Sequence, residues 1–151
     1  MKFLTLQFVI FGLATAASAD DLQNFLITTN QAAEIKQKLE AFEKGDINLD
    51  ETAPSMGGCQ KLIDYYSLHT NDVSIKMKLP ICRCFAALDK YPEAERLATE
   101  YLDVYSNDWR GWKILGVAYL KMANYSAAVE ALTNSARLGD GNSYTPLAFA
   151  A

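Results

Sequence analysis

The side chains here best suited to bond chemistry are three cysteines, Cys59, Cys82 and Cys84, and one histidine, His69. Thiolate and imidazole together make a Cys3His set, which in principle holds zinc or another soft metal, and the thiols alone suit redox exchange. Residues two apart on a helix point to roughly opposite sides, however, so Cys82 and Cys84 are badly aimed at a single ion. The other signatures of catalysis are missing. The sequence has no H-E-x-x-H, no glycine-rich phosphate loop, no G-x-S-x-G and no carboxylate pair in a setting that would shift its pKa. No enzymatic activity, cofactor or metal is therefore expected. His69, near the end of a helical segment, reads as a cap or a charge favourable to the helix dipole.

Whether the thiols can pair depends on the compartment, and the N-terminus bears on that. Met1-Lys2 is a short positive start, Phe3 to about Ala16 is mostly apolar, and Ala17-Ser18-Ala19 has the small-x-small form of a cleavage site. Residues 1–19 read as a secretory signal peptide, which places the working protein in a periplasm or outside the cell. The apolar run is shorter than the ~20 residues a bilayer requires and Asp20-Asp21 follows it, so no stable membrane anchor is expected after cleavage. In an oxidising compartment three cysteines imply one disulfide and one thiol left over. The chain carries 14 Lys and Arg against 18 Asp and Glu, and it becomes more acidic once Lys2 is removed. An acidic surface argues against nucleic acid as a partner.

The elements that must position these groups are helical. Ala32, Ile35, Leu39 and Phe42 form one stripe opposite a Lys/Glu face, ending at Gly45, which predicts a helix from about Asn30 to Lys44. The stretch "DINLDETAPSMGG" is polar, aperiodic and interrupted by Pro and Gly, and reads as a loop. A second helix is expected from about Cys59 to His69, with Leu62, Ile63 and Tyr66 as its apolar face. From Ile75 the chain repeats. Ile81, Cys82, Phe85, Tyr91, Ala94 and Tyr101 recur thirty-four residues later as Leu115, Gly116, Tyr119, Tyr125, Ala128 and Ser135. A fixed period of this size signals stacked supersecondary units.

Trp112, Leu115, Gly116 and Tyr119, followed by Tyr125, Ala128 and Leu132, resemble the tetratricopeptide repeat (TPR), whose first helix carries W-x2-L-G-x2-Y. Two units follow, 75–108 and 109–142, with a third beginning at 143; in the first, Lys78 replaces the tryptophan. The resemblance implies an all-α fold of antiparallel helix hairpins stacked as a short right-handed solenoid over 58–151, preceded by an N-terminal helix and loop over 20–57. Glycine among bulky residues weakens a helix by about 1 kcal/mol relative to alanine. Gly116 is therefore read as a docking place for the helix carrying Ala128, and Cys82, in the matching position, as a small buried filler. In this register Cys84 aligns with Ala118 and faces the preceding helix, where Cys59 lies. A Cys59–Cys84 disulfide is expected, with Cys59–Cys82 the alternative.

Charge supplies the functional expectation. Lys76, Arg83, Arg110, Lys113 and Lys121, with Leu79 and Val117 among them, project from the first helix of each unit away from its packing faces. In tetratricopeptide arrays that side lines a concave groove. Glu93, Glu95, Glu100, Asp103 and Glu130 fall on the second helices, so a basic groove inside an acidic shell is implied. Such a groove suits an acidic peptide or partner helix, which makes the chain a protein-binding scaffold. Two alternatives stay open: thiol or metal handling through Cys59, Cys82, Cys84 and His69, and self-assembly into a larger exported complex. Asn124-Tyr125-Ser126 is an N-glycosylation sequon by pattern, although its residues also fit the repeat without modification.

Overall fold

The computed structural model describes the backbone of residues 19–139 and the side chains of residues 28–139. The predicted signal peptide (Ala19 apart) and the third unit from 143 lie outside the described residues. The chain divides into two compact units, residues 1–36 and 37–151. Of the first, the described portion is the leading stretch of helix α1, Ala19–Lys44. This helix begins well before the expected Asn30. It stops at Gly45, whose φ of +85° is left-handed. There the Gly45 N–H donates to the Phe42 carbonyl at 3.0 Å and Asp46 N–H to that of Ala41 at 2.8 Å. These paired bonds satisfy carbonyls that the helix end would orphan, and glycine takes the left-handed position without a Cβ clash.

Among the described residues of the second unit, six α-helices follow, α2 Leu49–Ser55, α3 Cys59–Leu68, α4 Lys78–Ala87, α5 Tyr91–Val104, α6 Trp109–Lys121 and α7 Tyr125–Leu138, with a 3-10 turn at Thr70–Asp72 between α3 and α4. No strand occurs among the described residues, and none of their helices is long and apolar enough to cross a membrane. Helix α2 corrects the expected loop. Asn48 accepts from Glu51 N–H at 3.0 Å while the Glu51 carboxylate accepts from Asn48 N–H at 3.3 Å, a complete capping box. Thr52 is buried because its hydroxyl donates to the Asn48 carbonyl at 2.8 Å, which removes the cost of an unpaired polar group.

The thirty-four-residue period is a structural period. Helices α5 and α7 are both 14 residues long, starting at Tyr91 and Tyr125. The turns before them place Asp89 and Ala123, again thirty-four apart, at φ of 60° and 59°. Helix α4 starts at Lys78, inside the 75–108 unit, with Pro80 in its first turn, where its missing N–H has no helical partner. Where a tryptophan would stand, Lys78 instead pairs with Glu100 across the hairpin. In the second hairpin Trp112 is half-buried and its indole N–H donates to the Ser106 carbonyl at 2.8 Å.

Ile81, Leu115, Phe85, Ala94, Ala128 and Leu132 are core residues, as expected. Tyr91 and Tyr119 are only half-buried, and Tyr125 is a correction, being 54% exposed. Tyr125 lies on the same stripe as Ala128 and Leu132, but it is the first residue of α7. Gly116 does admit α7, and the residue it admits is Leu132. A Cβ on Gly116 would fall 2.6 Å from Leu132 Cγ and 3.2 Å from the Leu132 backbone nitrogen. Gly111 does the same at the preceding helix interface, where a Cβ would stand 2.8 Å from Leu102 Cδ2.

Candidate functional site

The first helices of the two hairpins, α4 and α6, form with α2 a cleft of about 600 Å3. Leu49 and Asp50 come from α2, Arg83, Ala86 and Ala87 from α4, and Trp109, Arg110, Lys113, Ile114 and Val117 from α6. Four expected groove residues therefore meet here: Arg83, Arg110, Lys113 and Val117. The other three do not. Leu79 is fully buried, because α4 is packed on α2, α3, α5 and α6 and has little free face near its start. Lys76 precedes α4 instead of riding on it, and its ammonium donates to the Glu43 carbonyl at 2.8 Å. Lys121 is exposed at the far end of α6, a turn beyond Val117.

The cations that do line the cleft are in different states. Arg83 Nη1 lies 2.5 Å from Asp50 Oδ1, with both side chains substantially exposed, 44% and 81%. Arg110 is held more firmly: its Nε and Nη2 donate to the Asp108 carboxylate at 2.9 and 2.7 Å. The same carboxylate caps α6 by accepting Arg110 N–H at 3.0 Å, and it also accepts the Tyr101 hydroxyl at 2.6 Å. Arg110 is thus a structural ligand of Asp108 as well as a wall of the cleft. Lys113 sits with its ammonium 5.8 Å from the Trp109 ring centroid, within range of a cation–π attraction. Three cations and one carboxylate, Asp50, line the cleft, and two of the cations, Arg83 and Arg110, are already paired with carboxylates.

These contacts set the ionisation. Burial pushes the Asp108 carboxyl up, and donation from Arg110 and Tyr101 outweighs it, leaving the group below the ordinary aspartate range. Burial first, and then the bond to Asp108, raises Tyr101. Glu100 is lowered chiefly by donation from Lys78. A carboxylate whose folded pKa is depressed contributes stability that is complete above its unfolded value, about 3.9 for aspartate, and lost as pH falls through the folded value. Asp108→Asn will therefore show a shallower loss of stability on acidification below about pH 4 than the native chain. Denaturant midpoints measured at descending pH check this; parallel acid limbs would contradict it.

The thiols separate into two roles. Cys59 on α3 and Cys84 on α4 stand at disulfide distance, with Cα atoms 4.9 Å apart and 25 residues between them in sequence. Cys82 is wholly buried on the other side of α4, its Sγ donating to the Leu79 carbonyl at 3.1 Å. Burial holds its thiol far above the ordinary value, in the unreactive neutral form. His69 caps α3, stacks on Tyr65 with centroids 4.5 Å apart, and has Nδ1 3.7 Å from Asp72. Among the described residues no three His, Cys, Asp or Glu side chains are grouped so as to hold a metal ion.

The fold is tetratricopeptide-like. The second TPR domain of human RPAP3, solved in complex with the HSP70 peptide SGPTIEEVD, is similar with a TM-score of 0.58 at 16% identity, over 82% of this chain and 97% of that domain. The C-terminal TPR-containing domain of a Plasmodium falciparum FK506-binding protein is similar with a TM-score of 0.51 at 20% identity, over 82% of this chain and 87% of that one. No family model and no curated protein matches the sequence.

Proposed function

We propose that this chain is an exported, non-catalytic interaction module that takes a short acidic peptide segment of a protein partner in the cleft between α2, α4 and α6. The observation that carries this is the composition of the cleft: Arg83 and Lys113 line it together with the apolar Ala86, Ile114 and Val117. An ammonium or guanidinium beside apolar surface recognises a carboxylate and an aliphatic side chain together. The human domain similar in fold is solved with a peptide that carries two glutamates, a valine and an aspartate, which supports a peptide as the occupant here. Export is supported by the signal-like first nineteen residues and by a cysteine pair at disulfide distance, a pairing that persists in oxidising compartments.

The test is an array of acidic nonapeptides, SGPTIEEVD among them, each matched with its Gln/Asn counterpart. The native chain is expected to select the acidic members. Arg83→Glu with Lys113→Glu should weaken that binding at least ~10-fold without altering the helical circular dichroism, since reversed charge repels the ligand. Arg110 is left intact because it holds Asp108. No preference for the acidic members, or equal binding by the double variant, would overturn the proposal.

A further inference from the structure

Resting on that reading of the cleft, we infer that Asp50 is a tethered competitor, a carboxylate of this chain's own that occupies Arg83 until an acidic ligand displaces it. Asn48, Leu49 and Asp50 present to the cleft a leucine beside a carboxylate, the same pairing of chemistry that the cleft is built to recognise. The Asp50–Arg83 pair spans two helices at 2.5 Å with both partners largely exposed. Exposed pairs contribute little and are readily exchanged, because water screens the attraction and the side chains give up entropy to hold it. The Asp108–Arg110 pair is the contrast. There the carboxylate is only 16% exposed and also bonded to Tyr101 and a backbone N–H, so it is not free to yield its partner.

Helix α2 does not depend on Asp50 for its place. The capping box uses Asn48 and Glu51, and Thr52 and Met56 are buried. Asp50 can therefore be neutralised without removing the helix that carries it, and its effect is then on the ligand. An incoming carboxylate in the native chain exchanges one ion pair at Arg83 for another. With Asp50 neutral it gains the pair outright, so Asp50 sets the affinity lower and makes the cleft selective for ligands that bring apolar contacts as well as charge.

The experiment measures anisotropy of fluorescein-labelled SGPTIEEVD at low ionic strength against the full chain, Asp50→Asn, Arg83→Ala and the two combined. Asp50→Asn is expected to tighten binding by about two- to fivefold, the range an exposed ion pair supports, and the gain should vanish in the Arg83→Ala background. Native binding that Asp50→Asn leaves unchanged, or an equal gain with and without Arg83, overturns the inference and leaves the peptide-binding reading standing. Failure of all four proteins to bind overturns both.

Discussion

Gly116→Leu will melt at least roughly 10 °C below the native chain, corresponding to a loss of about 3 kcal/mol or more for a domain of this size. Even a single added carbon would stand 2.6 Å from Leu132 Cγ and 2.7 Å from its Cδ2, with the Leu132 backbone nitrogen at 3.2 Å behind them. Leu132 is fully buried, so it has no open space into which to retreat, and close-packed interiors relieve such overlap only by moving whole helices. The effect should be graded, Gly116→Ala costing less than Gly116→Leu. It should also be coupled. Leu132→Ala costs stability in the native chain by leaving a cavity, yet combined with Gly116→Ala the total loss should fall short of the sum, since the removed side chain is the one that clashes. Thermal and urea unfolding of the four proteins check this; additive losses would mean that Gly116 meets something other than Leu132.

The second large effect concerns the cysteine pair at disulfide distance between the first hairpin and the helix before it. In oxidised protein, titration with a thiol reagent should count one free thiol per chain, unreactive in the native state and reactive on unfolding, because Cys82 is wholly buried. Cys59→Ser removes the closed loop of 25 residues at its half-buried end and is expected to cost about 3 kcal/mol, mainly by freeing the unfolded chain. Reductant should lower the native chain to nearly the same stability and leave Cys59→Ser unchanged. Three thiols in oxidised protein, or a variant as stable as the native chain, would rule the bond out.

The repeat was legible because its signals are local and coincide. Period, glycine and aromatic positions in 109–138 all point to one register, and the boundaries of α5 and α7 follow it residue for residue. The proximity of Cys59 and Cys84 was legible for the same reason: register places Cys84 toward α3 and Cys82 away from it. The cleft was only half legible. Projection on a helix identifies Arg83, Lys113 and Val117, but it does not show which other helix covers a given side, and so it misplaced Leu79, which the surrounding helices enclose. Helix α2 was hidden by its seven residues, a length too short for periodicity. The Asn48-x-x-Glu51 capping box was the available signal, and with it Leu49 and Asp50 would have entered the site. Gly111 was likewise readable, since a glycine inside a helix at about 1 kcal/mol requires a compensating contact wherever it falls.

The partnerships of the cations are the least legible feature. Whether an arginine is a spare donor depends on what lies within 3 Å of it, and the side chains that engage Arg83 and Arg110 come from α2 and from the α6 cap. The basic stripe in the sequence is therefore a set of unequal groups. Arg110 serves the fold first, whereas Arg83 and Lys113 are the residues on which the proposed recognition of an acidic ligand rests.

The most direct measurement of that recognition is a backbone 15N–1H NMR titration of the oxidised chain with an acidic nonapeptide selected by the array. Saturable shifts gathered at Asp50, Arg83, Lys113, Ile114 and Val117 are the expected result. Shifts gathered instead on α5 and α7, around Glu93, Asp103 and Glu130, or none at peptide concentrations in the millimolar range, would contradict a cleft built for an acidic partner.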